Sequence, residues 1–230
     1  VKDYEPTVEV GEETALRIYE TLYHLGKHAS LANALRRFLE QNPSSSLKPK
    51  TQLRLAKILF DHREYYQSLA ELDKIIEGFP NLTITNDAYI EKARVYQIIG
   101  ETREMKNSLQ KILTNENAHD YYSYAANELG IIYLKESQYD SALTYYRLLL
   151  DFEKYREQAM LEIARIYDVL EQNKASETMI EKLISEYPTS IFLFDAYVLK
   201  SKAYKNRGDY AGAGDILKEL VKKIGSNPEI

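Results

Sequence analysis

The chain has 230 residues, 44% of them hydrophobic, with 30 basic and 35 acidic residues, a net charge of −5 and no cysteine. These counts supply apolar material for one large or two small domains. They exclude disulfides, thiolate metal sites and a cysteine nucleophile, and they argue against a nucleic-acid binder that relies on general phosphate neutralisation. The longest apolar runs are a few residues, far below the ~20 that span a bilayer, so direct membrane insertion by this chain is not expected. A chain that begins with Val1 reads as a processed protein or an excised piece, and composition leaves the compartment open.

Along the chain, one pattern recurs at an interval of roughly 37 residues. Anchored on Tyr133, equivalent positions fall at Leu22, Leu59, Tyr96, Tyr133, Tyr167 and Tyr204. Three residues earlier stand Tyr19, Ala56, Ala93, Gly130, Ala164 and Ser201, mostly small. Nine residues later stand Leu31, Ser68, Met105, Ala142, Ser176 and Ala213, again mostly small. Thirteen later come Leu35, Leu72, Leu109, Tyr146, Ile180 and Leu217, and sixteen later Phe38, Ile75, Ile112, Leu149, Leu183 and Leu220. Large apolar residues at that offset form one helical stripe, and small residues allow two helices to approach closely.

Each repeat therefore predicts two amphipathic helices. In chain order they are placed at 12–25, 29–41, 47–62, 65–78, 84–99, 102–114, 119–136, 139–151, 155–171, 174–186, 190–206 and 210–224. The turn inside each pair is expected about four residues past the anchor, at Gly26, Arg63, Gly100, Ser137, Glu171 and Gly208, where a left-handed helix end suits glycine. Pro43, Pro80 and Pro188 close three of the second helices, because proline lacks an amide donor and disfavours helix in the preceding residue. The expected organisation is a lead-in at 1–11, one solenoid over 12–224 and a tail at 225–230. Its six repeats lie near 12–43, 49–80, 86–117, 123–154, 157–188 and 194–225.

The stretches LGIIYLKESQYDSALTYYRLLL, ARIYDVLEQNKASETMIEKLISEYP and KAYKNRGDYAGAGDILKELV resemble the tetratricopeptide repeat, with small residues at the helix crossing, an aromatic near the end of the first helix and a closing proline. The resemblance covers residues 12–224. It implies an all-α, right-handed solenoid of six helix-turn-helix repeats and about twelve helices. The implied function is a noncatalytic scaffold that binds a protein or peptide in its concave groove. The family's tryptophan is absent, and the first repeat departs most, with bulky Tyr19 and Leu31 at small positions. Terminal repeats of solenoids are often atypical. The extended junctions, with SEYPTS and EGFPN closings, resemble the envelope-associated bacterial branch of outer-membrane assembly lipoproteins and periplasmic cell-division coordinators. That likeness implies a periplasmic or envelope-associated setting rather than a cytoplasmic one.

Candidate chemistry is sparse. His24 and His28 stand four apart, a spacing that could bridge a zinc ion on one helical face, but the expected turn at Gly26 separates them and no HExxH pattern follows. Asp61-His62 and His119-Asp120 are adjacent and point to different faces, so neither makes an acid/base pair. The nine glycines form no phosphate loop. No enzyme, cofactor or metal site is expected. The twenty tyrosines could stack on bases or sugars, but most occupy packing positions. Tyr121, Tyr122 and Tyr124 cluster at a helix start and could be partly exposed.

In the resembled family the first helices line the groove. Two residues before the anchors the series reads Glu20, Lys57, Arg94, Ile131, Arg165 and Lys202. One residue after them it reads Tyr23, Phe60, Gln97, Leu134, Asp168 and Lys205. Lys57, Phe60, Arg94, Leu134, Arg165 and Lys202 are accordingly the candidate contacts for an acidic, partly apolar peptide. The alternative is that Glu91–Arg94 and Glu162–Arg165, three apart on one face, neutralise each other in solvent. Leu16, Leu53, Ile90, Leu161 and Val198 are apolar where the chaperone-binding type carries a carboxylate clamp, so that activity is not carried over. Two further surfaces carry an alternative reading, assembly into a homo-oligomer or larger machine, against solvated end faces and simple packing between the fifth and sixth repeats. Residues 200–223 hold seven basic and three acidic residues against one basic and five acidic in 1–13, and Ile191 to Phe194 form an apolar run.

Overall fold

A computed structural model describes residues 17, 19, 21, 25, 28–114 and 119–226. The described residues contain eleven α-helices and no strand: α1 (His28–Gln41), α2 (Lys48–Asp61), α3 (Tyr65–Gly78), α4 (Ile84–Ile99), α5 (Thr102–Leu113), α6 (His119–Lys135), α7 (Tyr139–Leu148), α8 (Glu153–Val169), α9 (Asn173–Glu186), α10 (Leu193–Asn206) and α11 (Tyr210–Ser226). The expected helix at 12–25 lies largely outside them. The chain divides into two compact halves, 1–121 and 122–230.

Why these residues turn where they do is visible in the main chain. The five described turn positions, Arg63, Gly100, Ser137, Glu171 and Gly208, all carry positive φ, between 56° and 84°. At each, the carbonyl of the anchor accepts a hydrogen bond from the amide five residues on: Glu64 to Leu59, Glu101 to Tyr96, Gln138 to Tyr133, Gln172 to Tyr167 and Asp209 to Tyr204, at 2.8–3.1 Å. This is the six-to-one bond of a Schellman helix end, and it fixes the angle at which the second helix leaves the first.

The small positions meet as the repeat predicts. Ala56, Ala93 and Ala164 are buried, and so is Gly130, whose Cα faces the ring of Tyr146. The Ser68 hydroxyl donates to the Ala56 carbonyl at 2.7 Å and the Ser176 hydroxyl to the Ala164 carbonyl at 2.9 Å. In the last repeat the polarity is exchanged: Ser201 donates to the Ala213 carbonyl at 3.1 Å. These bonds join the two helices of one repeat at their closest approach, so a polar side chain stays buried without an unsatisfied donor.

In the first half, Tyr19, Leu31, Leu35, Phe38, Leu55, Ile58 and Leu59 form one apolar cluster, and Ala56, Leu69, Leu72, Ile75, Ala88 and Val95 a second. Bulky Tyr19 is buried edge-to-face on Phe38 at 6.4 Å, so the atypical first repeat fills its crossing with rings instead of small residues. In the second half, Met160, Leu161, Ala164, Ile180, Leu183 and Ala196 form one cluster and Leu193, Tyr197, Ile216 and Leu220 another. The core of each half is thus a row of clusters between stacked helices, as expected when a single helix pair cannot bury its own apolar face. The first helices of neighbouring repeats also touch, α2 with α4 and α8 with α10.

Two boundaries differ from expectation by three residues. The helix expected at 190–206 begins at Leu193, because the buried Ser190 accepts the Phe192 amide on its hydroxyl at 3.1 Å and holds a turn. That turn splits the Ile191–Phe194 run: Leu193 is buried, Phe192 packs on the neighbouring cluster, and Ile191 and Phe194 are exposed. The helix expected at 139–151 ends as a 3-10 turn over Leu149–Asp151.

Candidate functional site

The row of first helices presents the predicted contact residues, and the structure groups them separately in each half. In the first half, Glu91 stands between two cations. Its Oε1 lies 3.1 Å from Lys57 Nζ and its Oε2 accepts from Arg94 at 2.8 Å. The Arg94 guanidinium lies over the Phe60 ring, 5.3 Å from its centroid, and Phe60 is itself tilted against Tyr65 at 5.7 Å. The Glu91 side chain is 11% exposed, whereas those of Lys57 and Arg94 are 49% and 50% exposed. The carboxylate is therefore the floor of the site and the cations its rim. Two positive heads over one negative floor leave a local excess of positive charge, with guanidinium donors still facing water.

The second half keeps the residues but changes the balance. Arg165 donates to Glu162 at 3.0 Å and to Asp195 at 2.7 Å, so two carboxylates surround one guanidinium. Lys202 donates to Asp168 at 2.6 Å, and the Asp168 side chain is nearly covered. Burial lifts the Glu162 carboxyl above the usual carboxylate range, and Arg165 pulls it part of the way back. Leu134 and Ile131 lie on α6, half-buried, where the basic series is interrupted. The mutual pairing within Glu91–Arg94 and Glu162–Arg165 is thus present, and in the first half it coexists with a charge excess.

Sequence reasoning missed two kinds of residue. The inner series Leu53, Ile90, Leu161 and Val198 has its fourth copy at Asn127, a buried residue whose Oδ1 has no hydrogen-bond partner among the described residues; the break in an apolar series was the available signal. Asp195, partner of Arg165 from the next repeat, carried no signal, because a contact 30 residues away depends on stacking.

Several of the described tyrosines are used for packing, whereas Tyr66 and Tyr210 are exposed. Tyr146 and Tyr197 are fully buried, Tyr133 stacks on Tyr145 at 5.4 Å, and Tyr122 stacks on Phe152 at 5.9 Å. Tyr121 donates to Asp87 at 2.8 Å, and burial together with that carboxylate pushes its phenol up to about 12. His24 lies outside the described residues, as do the side chains of His28 and His119. No group of three or more His, Asp or Glu side chains among the described residues is arranged to hold a metal ion. Nor is any described helix long and apolar enough to cross a membrane.

This architecture defines an α-solenoid built from helix-turn-helix repeats. Residues 158–190 match the tetratricopeptide repeat family, and the fold is that of tetratricopeptide-repeat proteins. The chain resembles a tetratricopeptide repeat protein from Parabacteroides merdae ATCC 43184 at TM-score 0.60 and 18% identity, covering 92% of this chain and 79% of that one. It resembles YrrB, described as a TPR protein with an unusual peptide-binding site, at TM-score 0.56 and 18% identity over 86% of this chain and 94% of that one. It resembles BtubC (BKLC) from P. vanneervenii at TM-score 0.59 and 12% identity over 90% and 91% of the two chains. No match to a curated protein sequence accompanies these structural likenesses.

Proposed function

We propose that the protein is a noncatalytic adaptor that holds an acidic, partly apolar peptide segment of a partner protein on the inner face of its first helices. The observation that carries the reading is the Lys57–Glu91–Arg94–Phe60 cluster, where a buried carboxylate fixes two half-exposed cations beside an aromatic ring. A site held in place before binding loses little ordering entropy when a ligand arrives, and a guanidinium on an aromatic face suits a carboxylate flanked by apolar side chains. Leu134, Arg165 and Lys202 extend the set in the second half, with weaker charge because their cations are matched by acids. The peptide-binding site named for YrrB agrees in kind with this reading.

Selection of random peptides on the immobilised chain tests it. Enriched sequences are expected to be acidic and to lose about tenfold or more in affinity, about 1.4 kcal/mol, against a Lys57→Gln/Arg94→Gln variant shown to be folded by circular dichroism at the assay temperature. Equal affinity for the variant would overturn the reading. Light scattering over a concentration series separates it from a structural module that assembles into homo-oligomers through its ends. The reading extends to a bacterial envelope assembly on the extended SEYPTS and EGFPN junctions alone, and fractionation of cells expressing the full gene product tests that setting.

A further inference from the structure

Five residues before the anchor, three successive first helices carry a glutamate: Glu91, Glu128 and Glu162. In two of these copies the chain supplies its own counter-charge one helical turn later. Arg94 donates to Glu91 at 2.8 Å and Arg165 to Glu162 at 3.0 Å, the three-residue spacing that brings side chains together on one face. Ile131 stands at that place in the middle copy. Glu128 therefore lacks the arginine that its sisters have.

Glu91 shows a completed copy, with Lys57 3.1 Å from Oε1 and Arg94 on Oε2. Glu128, half-buried on α6, has instead the side-chain amide of Asn127 at a long 3.5 Å from Oε1. Among the described residues no ion pair reaches it, although every arginine of the chain lies among them. Arg165 is taken up by Glu162 and Asp195. Burial lifts the Glu128 carboxyl above the usual carboxylate range, and the Asn127 amide and then Lys135 pull it part of the way back. The carboxylate is thus partly desolvated without a matching cation.

Asn127 points to the same place. It is 9% exposed, in a series that reads Leu53, Ile90, Leu161 and Val198 in other copies, and its Oδ1 has no partner among the described residues. Burying an amide with one end unsatisfied costs stability, and the other end is turned to Glu128 Oε1. This arrangement holds the carboxylate by one oxygen and leaves Oε2 to a second donor. Beyond it, Ile131 and Leu134 follow at three-residue steps, both half-buried, and offer an apolar bed. No group of three or more His, Asp or Glu side chains among the described residues is arranged to hold a metal ion. A long side chain with an aliphatic stem and a cationic head suits such a surface, and a guanidinium, weakly hydrated, is what fills the sister copies.

We propose that Glu128 receives an arginine side chain of a partner protein, its guanidinium on Oε2 and its aliphatic stem along Ile131 and Leu134. The inference deepens the peptide-binding reading, on which it rests for the occupant being a peptide, by giving the bound segment a basic residue flanked by apolar ones. Its residues lie in the second half, apart from the Lys57 and Arg94 cations, so each assignment can fail alone.

The test uses the capped tripeptides Leu-Arg-Leu and Leu-Gln-Leu, titrated into the isotope-labelled full chain and followed by the amide shifts of its nuclear magnetic resonance spectrum. Leu-Arg-Leu is expected to shift the amides of α6 and to bind about tenfold tighter than Leu-Gln-Leu. Glu128→Gln should remove that preference. Ile131→Arg, which supplies the missing partner as Arg94 does for Glu91, should remove it as well. Lys57→Gln/Arg94→Gln should leave it intact, which separates this result from the reading for the first half. Circular dichroism at the assay temperature reports whether each variant is folded, and Glu128→Gln alone carries the comparison if Ile131→Arg does not fold. Equal affinity of the two tripeptides, no shift of α6 amides at millimolar Leu-Arg-Leu, or a preference that survives Glu128→Gln would each overturn the proposal. Capped arginine without the leucines, binding as tightly as Leu-Arg-Leu, would overturn it in favour of a free small cation.

Discussion

The ring of Tyr146 lies against the backbone of Gly130, so close that a Cβ added there would stand 3.1 Å from Cζ and 3.2 Å from both Cε atoms. Tyr146 has almost no exposure and cannot move outward without opening the crossing of α6 and α7. Gly130→Leu is expected to lower stability by about 1–3 kcal/mol through overpacking. Gly130→Ala should lie near neutral, since the helix-propensity gain of about 1 kcal/mol opposes a few tenths of an ångström of crowding. Urea denaturation of both variants checks the pair; a leucine variant as stable as the alanine one would contradict the contact.

The serine-to-carbonyl bonds at the other crossings give a second expectation. Ser68→Ala and Ser176→Ala each remove a buried hydrogen bond and should cost about 0.5–1.5 kcal/mol. They stand in different halves, so their effects should add within about 0.5 kcal/mol. Chemical denaturation of the single and double variants reads this directly.

At the turns, Arg63, Ser137 and Glu171 hold the left-handed conformation without being glycine. Glu171→Gly and Ser137→Gly relieve the Cβ contact that disfavours it, by about 1–2 kcal/mol, against a smaller added entropy loss on folding of about 0.4–1 kcal/mol. The expected net effect is a rise in melting temperature for each, measured by differential scanning calorimetry. A fall would mean that the longer side chains make compensating contacts.

Glu162 predicts a pH dependence of definite sign. Its carboxyl is lifted above the ordinary 4.5, first by burial and then by Asp195, while Arg165 opposes the shift. The folded state therefore holds the proton more tightly than the unfolded chain. Its stabilising share is full below the ordinary glutamate value and is lost as pH rises through the folded value. Glu162→Gln should gain stability relative to the parent as pH goes from 4 to 7, read from urea midpoints at both ends. A relative loss would show that the Arg165 pair outweighs desolvation.

The helix pairs were legible because the cause of each element is local or repeats at a fixed interval. Turn position, small crossing residues and the apolar stripe all recur, and Tyr65–Gly78 and Ile84–Ile99 begin and end where the stripe does. Leu193 as a helix start was not legible, since it depends on one serine hydroxyl capturing an amide two residues on. Within the candidate surface, the pairing of Glu91 with Arg94 could be read from their spacing. Lys57 joining it from the preceding repeat could not, because the two meet only when α2 and α4 stack. The same cause hid Asp195 from Arg165 and made a basic series look more uniformly positive than the folded surface is.

The bond that closes each of the five described turns runs from one backbone amide to one backbone carbonyl, whether the anchor is Leu59 or Tyr133. Its geometry is thus indifferent to which side chain the gene supplies at that codon, provided the left-handed residue after it is tolerated. Drift at those positions leaves the angle between helices unchanged. In these terms, a likeness of only 12–18% identity to the proteins named above is compatible with one shared fold, since main-chain atoms carry the geometry while the side chains on the surface differ.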